Sequence, residues 1–456
     1  MKDMTTGAVR GHIVSMVAFM LVGMFLQTLY ALVDIYWVAR LGKEAVAAVA
    51  LATNLMFVVL AISQTLGVGA VALISQAFGR KDAAEVQRLF NQAQCQSAVA
   101  AVLFLLLGML AKDFYAQGLA SDALTARYAS EFLNWFIPSQ SLLFFVAGLG
   151  SALRGIGNMK PGLIAQSGSV LLNMALAPVL IFGWFTGHPL GVAGAGLATF
   201  ISTLAAVIGL ALYLSRASTY LRVDFSAWRP HWASWRRMLA IGLPSGMEFL
   251  LMSVILGLIY SVIRQFGAEA QAGFGIGMRI MQAGFMPAVA LSFAVAAVAG
   301  QNFGARQHER VRETFSEGAK LTIGLMLFFT ALCHIAPARM VGWFSQDAAV
   351  IEVGADYLRY ISYNYVASGL IMVAAGMFQG IGNTLPSLLA SASRLVFFAL
   401  PVLWLARQPG FNLHQVWWVS VGSVALQMVL TLGLLQRELK RKLPRGPTVS
   451  TELLPN

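Results

Sequence analysis

Gln76-Ala77-Phe78-Gly79 returns 225 positions later as Gln301-Asn302-Phe303-Gly304. The same offset lays Gly155-Ile156-Gly157-Asn158 on Gly380-Ile381-Gly382-Asn383, Pro161 on Pro386, and Gly42 and Glu44 on Gly267 and Glu269. No gap is needed across about 120 residues. Two copies of a long apolar unit in one chain are a signature of transporters, whose working site lies where the copies meet.

Composition decides the solvent. The chain of 456 residues is 58% hydrophobic and only 11% charged, against about 25% charged in soluble domains. Lipid therefore has to solvate much of the apolar surface. The formal net charge of +12 does not point to nucleic acid, because Lys and Arg are spread over short loops between apolar runs, the pattern that sets membrane topology. Cys95 and Cys333 fall in apolar segments and read as buried free thiols. His12, His188, His231, His308, His334 and His414 sit near span ends or in loops, not in a metal cluster. The sequence contains no P-loop pattern. No cofactor, no metal site and no enzymatic constellation is expected. The segment 1–11 is short and polar, and the apolar run after it is too long for a signal-peptide core, so it reads as a retained first span.

A membrane helix takes about 20 mostly apolar residues. Twelve candidates follow: 13–39, 46–77, 84–111, 124–152, 161–183 and 190–214, then 238–264, 271–302, 310–337, 349–379, 386–406 and 414–436. The long second and eighth spans are expected to tilt or to run past the bilayer. Six spans per copy give both copies one orientation, with a pseudo-two-fold axis along the membrane normal. The expected fold is an all-α polytopic membrane protein of twelve transmembrane helices in two pseudo-two-fold related six-helix bundles. The bundles are 1–214 and 238–436, joined by a basic linker, 215–237, and followed by a tail, 437–456. With the N-terminus inside, 21 Lys and Arg fall on inner segments and 8 on outer ones. Both termini are thus expected in the cytoplasm, with the chain in a prokaryotic inner membrane. The linker carries five arginines with Trp228, Trp232 and Trp235 and reads as an amphipathic segment on the inner interface.

Gln-x-Phe-Gly stands where spans two and eight leave the membrane, and Gly-Ile-Gly-Asn stands between spans four and five and between ten and eleven. Gly and Asn are ordinary turn formers, so both motifs read as architecture. Their order, spacing and duplication carry a resemblance. So do Asp34 ahead of Arg40-Leu41-Gly42, and Arg279-Ile280 with Phe285-Met286-Pro287 in span eight. Over nearly its whole length the chain resembles the multidrug and toxic compound extrusion (MATE) family. The resemblance implies a secondary-active exporter of drugs or toxic metabolites, an antibiotic-resistance activity driven by antiport against protons or sodium across a cleft between the bundles. It implies small-molecule substrates and a lipid bilayer as partners, no nucleic acid and a monomer.

With the Lys and Arg near span ends counted to the inner and outer segments, four ionisable residues are read as clearly within the spans: Asp34, Glu248, Arg279 and Arg394. A charge at mid-bilayer costs about 2.5–3.5 kcal/mol or more, so each is a functional candidate. Gln27, Tyr30 and Asp34 share one helix face by spacing and read as lining the substrate cavity. Protonation of Asp34 removes its charge, which can switch cation binding and helix packing. In the resembling family the span-one Asp couples transport, and the polar groups around it map onto Asn173 and Thr199. Relatives often carry a second Asp at the place of Ala177, and a Pro at the place of Phe19, whose repeat partner is Pro244. Hard cations want several oxygen ligands, so one carboxylate favours protons over sodium. By depth, Glu248 matches Arg394 better than Arg279. An ion pair within the second bundle and a second proton site are both open there. Met20, Met24, Met56, Met286 and Met372 could form an adaptable wall, although packing explains most of them. A lipid-linked precursor flippase is the alternative function. It is disfavoured because only two arginines lie within the spans. A channel lacks a filter element.

Overall fold

The computed structural model describes residues 3–120, 122–185, 187–217 and 221–443. Residues 218–220 of the linker and the tail beyond 443 lie outside the described residues. The first copy supplies α1 (Val9–Ala39), α2 (Lys43–Thr53), α3 (Met56–Gly79), α4 (Ala83–Leu119), α5 (Ala123–Gly155), α6 (Lys160–Phe182) and α7 (Gly191–Ala217). The second supplies α8 (Trp232–Ile263), α9 (Ala268–Gly304), α10 (His308–Ile335), α11 (Pro337–Gly342), α12 (Ala348–Ile361), α13 (Asn364–Gly380), α14 (Leu385–Leu405) and α15 (Leu413–Lys442). Eleven segments are long and apolar enough to cross a membrane, and the bent pair α12 and α13 makes a twelfth.

The repeat holds to the residue. The starts of α2, α4, α5 and α6 recur at offset 225 in α9, α10, α12 and α14. Local chemistry explains this. Asp122 caps α5 by accepting from the Thr125 N–H at 2.8 Å, and its repeat partner Asp347 caps α12 by accepting from the Ala349 N–H at 2.8 Å, each filling an orphan donor of the first turn. Left-handed residues recur as well: Lys81 (φ 61°) with Arg306 (φ 59°), and Gly157 (φ 71°) with Gly382 (φ 74°).

Two spans depart from the expectation of unbroken helices. The second breaks into α2 and α3 at Asn54–Leu55. The tenth, read as continuous over 349–379, bends by 53° between α12 and α13. At that bend the Ser362 carbonyl accepts from the Tyr365 N–H at 3.0 Å and also from the Thr330 hydroxyl of α10 at 3.0 Å, so a neighbouring helix adds to the local bond that closes the turn. The eighth span is a single helix of 37 residues. At 1.5 Å per residue it is about 55 Å long and overruns a core of about 30 Å.

In the first copy α5 packs on α2, α3, α4 and α7; in the second, α13 packs on α9, α10 and α15. The first helix of each copy leans on the other copy: α8 lies along α3 and α1 lies against α9. Small residues permit the α3–α8 approach. A Cβ added at Gly69 would stand 2.9 Å from the Met238 carbonyl carbon, and one at Gly242 would stand 2.7 Å from that of Thr65. The N-terminal residues, the linker and both Gly-Ile-Gly-Asn turns gather at one end of the molecule, called here the basic face.

A polar stripe on α4 binds the linker. Asn91 donates to the Arg222 carbonyl at 3.0 Å and accepts from the Asp224 N–H at 2.9 Å. Gln92 donates to the Ala227 and Arg229 carbonyls at 2.9 Å each, and accepts from the His231 N–H at 2.8 Å and the Trp235 indole at 2.9 Å. The buried Cys95 thiol donates to the Trp228 carbonyl at 3.0 Å. Positions 87, 91, 92, 95 and 96 share one helix face, so a stripe that looks out of place in an apolar span is a docking rail. The docked linker keeps Phe225 and Trp232 exposed, at 75% and 70%.

Candidate functional site

Three helices bring the first candidate site together. Tyr30 and Asp34 stand one turn apart on α1, Asn173 on α6 and Thr199 on α7. Asp34 lies five residues before the end of α1, about 8 Å from the far end of the helix. The Tyr30 hydroxyl is 3.0 Å from Thr199 Oγ1, and the Asn173 amide donates to the same oxygen at 3.4 Å. Thr199 itself donates to the Ala195 carbonyl at 3.1 Å. A hydroxyl has one donor and two lone pairs, so Thr199 is saturated and the Tyr30 O–H is the donor of that pair. A further chain runs from Ser139 to Thr203 at 3.2 Å, and from Thr203 to the Thr199 carbonyl at 2.8 Å. It fixes the α7 register behind the site.

Two buried acceptors in this neighbourhood have no donor among the described residues: Asp34 Oδ1 and Asn173 Oδ1. Asn173 is fully buried. Buried polar atoms are almost always satisfied, so each exception calls for an explanation. Ala177, one turn beyond Asn173, packs into an apolar cluster with Val38, Ala195 and Ala198. Asp34 is the only carboxylate that these four residues contribute. Gln27 lies on α1 about 10 Å from Asp34 along the axis. Its side chain is exposed, and the hydrogen bonds described here do not tie it to Tyr30 or Asp34.

The second bundle holds Glu248 and Arg394 apart. Glu248 sits on α8 one turn after Pro244, and its carboxylate lies beside the Ser387 hydroxyl of α14, while Oε1 is buried without a partner. Arg394 is seven residues further along α14, about 10 Å. Its guanidinium lies near the Tyr357 phenol of α12, and its Nε is buried without a partner. No ion pair within 4.0 Å joins Glu248, Arg279 or Arg394 to an opposite charge among the described residues. The pairing that depth suggested is therefore not made, because Glu248 meets α14 two turns short of Arg394. Arg279 is exposed on α9, away from the glycine face that meets α12.

Some polar residues went unread in the sequence. Ser387 and Ser391 extend a polar face on α14 with the already named Arg394, and Gln427 donates to Ser391 at 3.3 Å. Their spacing of four and three was the available signal. Arg154 lies two residues beyond the fourth predicted span, 124–152. It lies inside α5, donates to the Ser151 hydroxyl at 2.7 Å, and stacks its guanidinium over Phe293 of the other copy at 5.0 Å. Among the described residues no group of three or more His, Cys, Asp and Glu could hold a metal ion.

The MatE family model matches residues 20–179 and 244–405, one match in each copy. The probable multidrug resistance protein NorM of Bradyrhizobium diazoefficiens is 28% identical over 420 residues, which span 88% of this chain and 87% of that protein. The multidrug export protein MepA of Staphylococcus aureus is 26% identical over 438 residues, 92% of each chain. The solved structure of MATE in the bent conformation shares the fold, with a TM-score of 0.90 at 24% identity over 96% of this chain and 97% of that one. A MOP superfamily transporter from Pyrococcus furiosus gives a TM-score of 0.88 at 25% identity, over 96% and 98%.

Proposed function

Because the chain belongs to the multidrug and toxic compound extrusion (MATE) family, we propose that it is an antiporter that exports amphipathic, often cationic compounds in exchange for protons, with Asp34 as the coupling carboxylate. The observation that carries this reading is the donor-poor site in the first bundle. Asp34 Oδ1 and Asn173 Oδ1 are buried acceptors without donors, and the Tyr30 O–H and one of the two Asn173 amide N–H groups are spent on Thr199. One proton on Asp34 supplies the donor that the network lacks. A sodium ion is served less well. It needs several oxygen ligands, Thr199 has no lone pair left for it, and Ala177 stands where a second carboxylate would help.

In the cycle, ionised Asp34 attracts a cationic substrate in the cleft. A proton arriving from the far side neutralises the carboxylate, and the substrate loses its counter-charge and leaves. Proton release to the basic side restores the anion. Glu248, buried beside Ser387 with one oxygen unpartnered, is proposed as a second proton-binding group in the other bundle. The basic face is proposed to be cytoplasmic, with both termini there, in the inner membrane of a prokaryote, and the working unit to be a monomer.

The test is drug transport by the purified protein in liposomes, under an imposed pH gradient and separately under a sodium gradient. A pH gradient alone is expected to drive transport, and Asp34→Asn is expected to abolish it while the protein still assembles. Transport driven only by sodium, or full activity in Asp34→Asn, overturns the coupling.

A further inference from the structure

We propose that Gln76 and Gln301 are the gate residues at the basic face, a symmetric latch that holds the two bundles shut there and must break whenever the cleft opens to that side. The sequence reading assigned their motifs to turn architecture. The structure gives the glutamine of each motif a partner in the other copy. The Gln76 amide donates to the Gly380 carbonyl at 2.8 Å, and the Gln301 amide donates to the Gly155 carbonyl at 2.8 Å. Donors and acceptors alike are related by the 225-residue repeat. The fourth residue of each motif permits the approach. A Cβ added at Gly79 would stand 2.8 Å from the Gln301 carbonyl carbon, and one at Gly304 would stand 2.7 Å from that of Gln76.

The accepting carbonyls explain why a latch can work here. Gly155 and Gly380 end α5 and α13, where the last carbonyls of a helix have no intrahelical donor. Each helix end is closed by the same turn. Gly157 donates to the Arg154 carbonyl at 3.0 Å and Asn158 to that of Leu153 at 2.9 Å; Gly382 donates to that of Gln379 at 3.0 Å and Asn383 to that of Phe378 at 2.9 Å. Gly157 and Gly382 take the left-handed conformation that these turns require. Each turn thus presents one free carbonyl to the opposite bundle. Closed, the glutamine amide serves it. Open, water serves both groups, so the exchange is nearly balanced. That balance suits a contact which forms and breaks in every cycle.

Other contacts bear on the same seam and are not symmetric. Arg154 of the first copy covers Phe293 of the second at 5.0 Å. Gln301 Oε1 also accepts from the Met4 N–H at 3.0 Å, while Asn302 and Arg310 donate to the Met4 carbonyl at 3.2 Å each. The N-terminal segment therefore braces one half of the latch. A cleft of about 390 Å³ lies beneath it, lined by Asp3, Phe78, Lys81, Asp82 and Val86 among others.

The experiment reads accessibility and so stands apart from the coupling ion and the substrate. In the full-length protein, with Cys95 and Cys333 replaced by Ser, Ser75→Cys puts a thiol into the buried seam (Ser75 is 0% exposed). A membrane-impermeant maleimide is applied to one face of proteoliposomes at a time. Gln76→Leu and Gln301→Leu keep the bulk and remove the donor. Each is expected to raise the Ser75→Cys labelling rate from the basic face by about 3- to 10-fold, the equivalent of one hydrogen bond. The double variant is expected to raise it further, with labelling of a Ser139→Cys control inside the first bundle unchanged. An unchanged Ser75→Cys rate, or an equal rise at Ser139→Cys, overturns the gate. Gln76→Leu carries the test if Gln301→Leu does not reach the membrane.

Discussion

A single methyl group at the seam tests whether the backbones of α3 and α9 set the balance between closed and open states. In Gly304→Ala the new Cβ would stand 2.7 Å from the Gln76 carbonyl carbon and 2.8 Å from its Cα. Both are backbone atoms of a packed helix and cannot swing aside. The Gln76 carbonyl oxygen would be nearer still, so relief to an ordinary contact of about 3.4 Å needs the seam to widen by more than about 0.7 Å, the shortfall at the carbonyl carbon alone. Such widening stretches the two latch bonds from 2.8 Å to about 3.5 Å or more, beyond useful hydrogen-bond length. Two bonds at about 0.5–1.5 kcal/mol each, or overpacking at about 1–3 kcal/mol, give the same penalty of about 1–3 kcal/mol against the closed seam only. The closed-to-open ratio should fall about 5- to 150-fold at 1.4 kcal/mol per factor of ten. An open state held at about 1% then rises to roughly 5–60%. Spin labels at Ala84→Cys and Glu309→Cys, exposed repeat partners on α4 and α10, would report it as a new long-distance population. Gly79→Ala should act alike. An unchanged distance distribution in protein that assembles normally would refute the reasoning, because the closed seam would then tolerate the methyl without opening.

Other expectations follow from separate parts of the molecule. Gln92→Ala removes four hydrogen bonds that hold the linker, a loss of about 2–6 kcal/mol at typical values. It should lower thermal stability in detergent and expose 221–231 to protease; unchanged proteolysis would show that the rail is dispensable. Asp3 accepts from the Thr5 hydroxyl at 2.5 Å and from its N–H at 2.9 Å, which holds its carboxyl below the ordinary value of 3.8. A depressed folded value stabilises docking above the unfolded value and loses that contribution as the pH falls through the folded one. The N-terminal segment should therefore loosen only below about pH 4, and Asp3→Asn should abolish that acid step in amide exchange at residues 4–7. Glu248→Gln should slow proton-driven drug transport without eliminating it. If transport is unaffected, the carboxyl beside Ser387 is structural.

The duplicated scaffold was legible in the sequence because its determinants are local. Capping aspartates, left-handed turn residues and lengths of apolar helix recur at a fixed offset, and each acts within a few residues of itself. The bend in the tenth span was not legible, since at Ser362 a local bond from the Tyr365 N–H is joined by one from Thr330 of another helix, which no local pattern records. At the candidate site, Asp34 stood out as a carboxylate in lipid, and Asn173 and Thr199 came from resemblance alone. Their connection through one saturated hydroxyl needed coordinates. The depth argument joined Glu248 to Arg394 because counting residues along a helix fixes height but not the neighbour at that height.

Comparison of the copies separates what the duplication holds in common from what it has let diverge. The latch is symmetric in both donor and acceptor, and closure of two equal bundles against each other asks for that: each Gln serves the turn that its own repeat partner would present. The ionisable groups are not symmetric. Asp34 aligns with Ile259, Glu248 with Gly23, and Arg394 with Ser169. A rocking seam has to be matched on both sides, whereas a proton needs only one acceptor to bias it. If Asp34 couples and the glutamines gate, their substitutions should fail differently. Asp34→Asn should stop proton-driven transport yet leave Ser75→Cys labelling controlled by the latch, and Gln76→Leu should open the seam yet leave the response to a pH gradient in place. A variant at either site that produced both defects would mean that the coupling site and the gate are one device, and the division of labour between the symmetric and asymmetric residues would be lost.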